Sequence, residues 1–169
     1  MRKIERLKKP LGALPDHVVY VPVDFSKEKL DKRLLESAYD RNSKTLFIWE
    51  GVTMYISAEA VDKTLGFVVN NSGEGSSIIF DYIYQSVVDG TCELEGARSG
   101  REYVARIGEP FTFGIGENAI DEFLSKRGYW QINNAAPEFL EATYFNGVNQ
   151  GRKVLPFQPI VHATVKPRG

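Results

Sequence analysis

The chain has 169 residues, of which 43% are hydrophobic and 25% charged, so it is long enough to bury a core as an ordinary globular domain. Its net charge of −1 excludes a broad basic surface for nucleic acid, and its apolar runs are all too short to span a membrane. The single cysteine, Cys92, excludes an internal disulfide and favours a reducing compartment, so we expect a cytoplasmic protein.

The first half of the chain alternates strands and helices. The predicted elements are a helix over 2–9, a strand over 17–25, a helix over 27–39, a strand over 44–50, a helix from the Ser57 N-cap to about 71, and a strand over 76–84. Each strand is an almost continuous apolar run, which is typical of strands covered on both faces. The order of elements therefore predicts an open, mostly parallel α/β sheet.

The second half is less regular. Residues 85–109 are rich in glycine and charge, with one helix near 94–106, and we expect a lid-like insertion there. The remaining predicted elements are a helix over 116–128, a strand over 129–134, a helix over 137–145 and a strand over 159–167. The last two strands predict an antiparallel hairpin at one sheet edge, and the whole chain is expected to form one domain.

Acidic residues come at or near the ends of the three predicted strands of the first half. They are Asp24, Glu50 and Asp81, and ligands of open α/β sheets bind beyond the carboxyl ends of the strands. Asp24 could instead cap the next helix, and a structural role is favoured for Asp81, because strand-like residues continue after it. Glu50 is the strongest ligand candidate, because Gly51 follows it and leaves room for a bound molecule.

A second glycine pattern needs a separate interpretation. The stretch "FGIGENA" matches G-x-G-x-x-A through Gly114, Gly116 and Ala119. A dinucleotide-binding loop requires a full strand before it and an acid at the end of the next strand. Neither is present, so these glycines are expected to let the insertion meet a helix. The two histidines, His17 and His162, lie far apart in sequence, and no metal site is predicted.

Three segments carry a resemblance to a known family. "VVYVPVDF", "LFIWEGVTMYIS" and "SSIIFDYIY" resemble the leucine carboxyl methyltransferase family, and in particular its bacterial and archaeal branch of S-adenosylmethionine-dependent O-methyltransferases. "WEGVTMY" is the most specific of these pieces, and the resemblance extends from about residue 15 to the end of the chain. It implies a class I methyltransferase-like, Rossmann-like fold.

The resemblance also implies roles for particular residues toward S-adenosylmethionine. Asp24 would accept a hydrogen bond from the adenine amino group, and the backbone of Phe25 would contact an adjacent ring nitrogen. Glu50 would line the cofactor pocket, with Gly51 leaving space beside it. Tyr55 would face the methyl acceptor, with Met54 in the same wall. The implied reaction is O- or carboxyl-methyl transfer to a small molecule.

One part of the family pattern is missing from this sequence. The family's glycine-rich cofactor loop and its ribose-binding acid precede the equivalent of Asp24, and neither occurs here. The chain therefore resembles the C-terminal portion of a family member, without the first two strands, and the chain alone is expected to bind the cofactor weakly. A second chain supplying the missing half, or a homodimer, is the expected partner, and strand 17–25 is expected to pair in parallel with strand 44–50. The alternative function is a non-enzymatic α/β association module.

Overall fold

The computed structural model describes residues 2–13, 15–23, 28 and 30–167. The chain divides into two compact units, residues 1–41 and residues 42–169. The first unit contains helix α1 (Arg2–Leu11) and helix α2 (Leu30–Leu35). Helix α1 continues past the predicted end at residue 9 and stops at Gly12, whose φ of +69° is left-handed. Helix α2 is shorter than the predicted 27–39.

The predicted strand over 17–25 is wrong for the residues that the structure describes. Residues 17–23 have no strand structure, and the Val18 amide donates to the Pro15 carbonyl at 3.1 Å, which closes a turn instead. Val19 is 61% exposed, and Pro22 has no N–H for a ladder. Parallel pairing of 17–23 with 44–50 is therefore also wrong, while Asp24 and Phe25 lie outside the described residues.

The second unit is built on a four-stranded sheet in the order β1-β2-β4-β3. Its strands are β1 (Leu46–Trp49), β2 (Ser77–Asp81), β3 (Tyr129–Ala135) and β4 (Ile160–Val165). Strands β1 and β2 are parallel, whereas β4 runs antiparallel to both β2 and β3. The sheet is therefore mixed: β1, β2 and β3 run in one direction, which confirms the predicted mostly parallel sheet, and β4 runs against them between β2 and β3. The antiparallel pair of β3 and β4 at one edge is confirmed.

Helices connect these strands. They are α3 (Ala58–Asn70), α4 (Gln85–Asp89), α5 (Ala97–Arg106), α6 (Ile120–Ser125) and α7 (Pro137–Tyr144). Helix α3 starts as predicted, since Ser57 Oγ accepts a hydrogen bond from the Ala60 amide at 3.3 Å. Helix α5 corresponds to the helix predicted near 94–106, and α4 is an additional helix.

One face of the sheet forms the main core. Its side chains are at most 5% exposed on the two central strands: Ile78, Phe80, Val161, Ala163 and Val165. On α3, Val61 and Leu65 are fully buried, and the Tyr129 hydroxyl donates to the Leu65 carbonyl at 2.9 Å. This bond ties β3 to α3.

A second cluster fills the space under α4 and α5. Its buried members are Met54, Ile83, Val87, Ala97 and Phe157. The segment 85–109 thus contributes Val87 and Ala97 to a core that it shares with the turn after β1. Its role as a lid, and the assignment of the chain as one truncated domain, stay predictions. In the part of the chain that the structure describes, no helix is long and apolar enough to cross a membrane.

Candidate functional site

The site predicted from sequence lies where β1 ends. Strand β1 stops at Trp49, exposed Glu50 follows, and Gly51 then turns the chain with a φ of +67°. A Cβ on Gly51 would meet no atom within 4 Å, so the backbone turn, rather than crowding within the protein, favours glycine here. A single 3₁₀ turn, Thr53–Tyr55, completes the segment.

Asp81 holds this turn in place from the neighbouring strand. Its carboxylate accepts from the Gly51 amide at 2.7 Å and from Gln158 Nε2 at 2.6 Å. The Thr53 hydroxyl donates to the Asp81 carbonyl at 2.5 Å. Asp81 is only 7% exposed, and the Gly51 amide and the Gln158 side chain each donate to one oxygen of its carboxylate, as a buried charge requires. This geometry agrees with the structural role favoured for Asp81.

Met54 and Tyr55 point into different surroundings. Met54 is 2% exposed and belongs to the buried cluster under α4 and α5. Tyr55 is 39% exposed, and its ring lies 5.5 Å from the Phe111 ring between centroids, tilted by 40°. The Thr112 amide donates to the Met54 carbonyl at 2.8 Å. The segment around Phe111 therefore forms one side of the site beside Tyr55.

Burial and nearby carboxylates raise the pKa values of two tyrosines, Tyr55 in the site and Tyr84 just before α4. Partial burial raises the pKa of Tyr55, and the nearby carboxylates of Glu109 and Asp81 raise it further. Burial is likewise the largest cause of the raised pKa of Tyr84, and the Glu138 carboxylate is the next largest. These phenols stay neutral at physiological pH and can donate or accept a hydrogen bond.

The structure thus brings part of the predicted site together. Glu50, Gly51 and Tyr55 share one segment at the carboxyl end of β1, beside buried Asp81. Asp24 and Phe25 lie outside the described residues. Their roles, like those of Glu50, Gly51, Met54 and Tyr55 toward a ligand, stay predictions. Among the described residues, no group of three or more His, Cys, Asp or Glu side chains could hold a metal ion.

Two residues that contribute to this site were not predicted from the sequence. Gln158 reaches Asp81 from 77 positions away, and Phe111 reaches Tyr55 from the loop before α6. Neither has a local sequence signal, because each meets the site only through the tertiary fold.

The second glycine pattern has a packing role, as predicted. A Cβ on Gly114 would come within 2.7 Å of the Gln85 Cα, so the two backbones approach too closely for any side chain. An isolated parallel bridge joins Tyr84 to Ile115 at the same point. Gly114 therefore lets the 110–116 loop pass against the start of α4.

Comparison with known proteins gives the family context of this geometry. Residues 1–69 match the family model described as leucine carboxyl methyltransferase, and the matched range includes β1 and the turn from Glu50 to Tyr55. The resemblance to the leucine carboxyl methyltransferase family is confirmed. The match ends within α3, and the sheet strands beyond it lie outside the matched range.

A curated relative extends the likeness to most of the chain. YktD of Bacillus subtilis (strain 168), classed with the S-adenosyl-L-methionine-dependent methyltransferases, is 25% identical over 166 residues. The alignment covers 97% of this chain and 54% of YktD. The chain therefore spans about half the length of this member of the methyltransferase group.

Solved structures show the fold. The apo form of the S-adenosylmethionine-dependent methyltransferase SibL aligns with a TM-score of 0.51 and 13% identity, over 99% of this chain and 41% of SibL. Human N-acetylserotonin methyltransferase in complex with SAM aligns with a TM-score of 0.47 and 13% identity, over 94% of this chain and 37% of that one. The SibL alignment confirms the predicted class I methyltransferase-like fold.

Proposed function

We propose that this chain forms part of an S-adenosylmethionine-dependent methyltransferase that transfers a methyl group to an oxygen or carboxyl group of a small molecule. The observation that carries the proposal is the position of the Glu50 turn. It stands at the carboxyl end of the parallel pair β1 and β2, where α/β sheets bind ligands. The same turn lies inside the range that matches the methyltransferase family.

Four residues are proposed to contact the cofactor. Glu50 is exposed at the strand end, where its carboxylate can accept hydrogen bonds from a bound molecule, and Gly51 has open space beside it. Asp24 and Phe25, outside the described residues, are proposed to hold the adenine ring. S-adenosylmethionine supplies the reactive methyl group on its sulfonium when it is bound.

The methyl acceptor is proposed to lie against the 3₁₀ turn. Tyr55 offers a half-exposed ring and hydroxyl there, and its ring contacts the tilted ring of Phe111. Met54 supports this wall from within the buried cluster. Methyl transfer depends mainly on alignment of the acceptor with the methyl group, so a rigid turn fixed by Asp81 suits the reaction without an added acid or metal.

A second polypeptide is part of the proposal. The chain spans about half of YktD, and the glycine-rich loop and ribose acid of the family are missing from its sequence. Hydrogen bonds to charged groups contribute about 1.5–3 kcal/mol each, so the loss of several would weaken cofactor binding by orders of magnitude. We also propose a cytoplasmic location, from the single cysteine.

Calorimetric titration with S-adenosylmethionine and S-adenosylhomocysteine tests the function. We expect the full chain alone to bind with a Kd above about 1 mM, and binding in the micromolar range once the segment of YktD outside the match is added. In the sample with the added segment, Glu50→Ala should raise the Kd for S-adenosylmethionine about tenfold or more. Glu59→Ala, which removes an exposed glutamate of α3, serves as the matched control and should leave the Kd unchanged.

Two results would contradict parts of this proposal. Micromolar binding by a demonstrated monomer of the chain would show that no second polypeptide is needed. Absence of binding in the assembled pair would rule out the cofactor role. It would leave the alternative function, a non-enzymatic association module, which is favoured by the exposed apolar side chains of β1, Leu46 and Ile48.

A further inference from the structure

The negative charge of Asp81 is not balanced within the described part of the chain. The side chain is 7% exposed, and its two oxygens accept from the Gly51 amide at 2.7 Å and from Gln158 Nε2 at 2.6 Å. Both donors are neutral. Among the described residues, no lysine, arginine or histidine forms an ion pair with this carboxylate, although buried charges in proteins are generally paired.

Hydrogen bonding alone does not require a charge at this position. An asparagine has an acceptor oxygen for the Gly51 amide, and its NH₂ group could donate to the side-chain oxygen of Gln158 once that amide is turned over. The same groups would then be joined without the desolvation cost of a buried charge. The carboxylate of Asp81 is therefore suited to a further role, which is the attraction of a positively charged group.

Two aromatic rings lie beside the turn that Asp81 holds. The Tyr55 ring is 39% exposed, and its centroid lies 5.5 Å from that of the partly buried Phe111 ring. The Thr112 amide donates to the Met54 carbonyl at 2.8 Å, which keeps Phe111 next to the turn. The faces of aromatic rings attract cations, and pairs of rings are a common means of binding an ammonium group.

Glu109 adds a second negative charge next to these rings. It is exposed, it lies two residues before Phe111, and it forms no ion pair among the described residues. Partial burial, then the Glu109 carboxylate and then that of Asp81 raise the pKa of Tyr55, so both carboxylates act at the Tyr55 hydroxyl. A carboxylate ligand would be repelled from such a surface, whereas a cation would be attracted.

We propose that this part of the chain binds an ammonium group of the methyl acceptor. The site, called the cation site here, consists of Tyr55, Asp81, Glu109 and Phe111. The rings would contact the ammonium group, exposed Glu109 would pair with it, and buried Asp81 would attract it from behind the turn. The acceptor is then a small molecule that carries an ammonium group as well as the oxygen to be methylated. This inference rests on the proposed function, which places the acceptor against Tyr55.

The first experiment uses choline as the probe and compares it with its neutral isostere, in which a carbon replaces the nitrogen. The full chain, without cofactor, is titrated with each compound at equal ionic strength, and the amide NMR signals of Gly51, Tyr55 and Thr112 are followed. We expect choline to bind about fivefold or more tightly than the isostere, because only choline gains the attraction of the rings and carboxylates.

Three substitutions show which charges are responsible. Glu109→Gln and Asp81→Asn should each weaken choline binding about threefold or more, while binding of the isostere should change little. Glu74→Gln removes one negative charge from an exposed residue before the opposite end of β2, so it is the matched control and should leave choline binding unchanged. The amide spectrum of each variant shows whether it is folded, and Glu109→Gln alters only an exposed side chain.

The second experiment asks whether Asp81 serves the sulfonium of the cofactor instead. S-adenosylmethionine carries that charge and S-adenosylhomocysteine does not, so both are titrated into Asp81→Asn in the sample with the added segment of YktD. We expect the two Kd values to change by the same factor. A loss of about fivefold or more for S-adenosylmethionine alone would assign the charge to the cofactor and overturn the proposal.

The first experiment can also overturn the proposal. It does so if choline and its isostere bind equally, or if either Glu109→Gln or Asp81→Asn binds choline as tightly as the unchanged chain. Because no cofactor is present there, the two functions fail separately. Choline binding without any cofactor binding would refute only the proposed function, and cofactor binding without choline binding would refute only the cation site.

Discussion

The contacts of Asp81 lead to a quantitative prediction for the turn that carries Glu50. Asp81→Ala removes a carboxylate that accepts from the Gly51 amide at 2.7 Å and from Gln158 Nε2 at 2.6 Å. Bonds to charged groups contribute about 1.5–3 kcal/mol each, and relief of the buried charge offsets part of their sum. We therefore expect a loss of about 2–4 kcal/mol in the free energy of unfolding. Asp81→Asn, which keeps one acceptor oxygen, should lose about 1–3 kcal/mol.

Urea denaturation, with the midpoint and slope fitted together, measures this loss. Asp89→Asn is the matched control, because Asp89 is exposed and accepts a single hydrogen bond, from Gln85 Nε2 at 2.9 Å. It should change stability by less than about 0.5 kcal/mol. Hydrogen exchange gives a local readout, in which the Gly51 amide should lose protection in both Asp81 variants. An Asp81→Ala protein with an unchanged midpoint and a protected Gly51 amide would refute the reasoning.

Two further predictions concern packing and pH. Gly114→Ala should destabilise the protein by about 1–3 kcal/mol, because its Cβ would come within 2.7 Å of Gln85 Cα. Gly116→Ala is the control, at an exposed site where the new Cβ would meet the Ala119 Cβ at 3.4 Å, and it should change stability by less than about 0.5 kcal/mol. Thermal unfolding of both variants measures the difference, and equal effects of the two substitutions would contradict the packing role of Gly114. Burial raises the pKa of Tyr129 and of Tyr82, so their contribution to stability should be constant below about pH 10 and fall as the pH rises through the raised values. Absorbance titration of the tyrosines, compared with stability measured over the same pH range, checks this. Tyr129→Phe should reduce the loss of stability at alkaline pH, and an unchanged loss would contradict the prediction.

The sequence alone predicted those helices and strands that depend on residues close to one another in the chain. The apolar runs placed β1 and β2, and Ser57 placed the start of α3, since an N-cap is satisfied by an amide three residues away. The change from apolar residues to the acidic Glu50 indicated where β1 ends. The segment "WEGVTMY" indicated a resemblance to the leucine carboxyl methyltransferase family, and the match to residues 1–69 confirmed that resemblance.

Tertiary structure decided what depends on distant partners. The apolar run over 17–23 does not form a strand. Strand propensity depends strongly on pairing with a neighbouring strand, which an apolar composition does not supply. The insertion of β4 between β2 and β3, which makes the sheet mixed, is likewise a matter of pairing rather than composition.

The candidate site divides in the same way. The sequence alone located the Glu50–Gly51–Tyr55 segment, because those residues are neighbours in the chain. Only the fold showed that Asp81 holds the turn and also bonds to Gln158, which is 77 positions away, and that the ring of Phe111 contacts that of Tyr55. A hydrogen bond or ring contact between such distant residues leaves no pattern along the chain, since it exists only once the strands that carry it have paired.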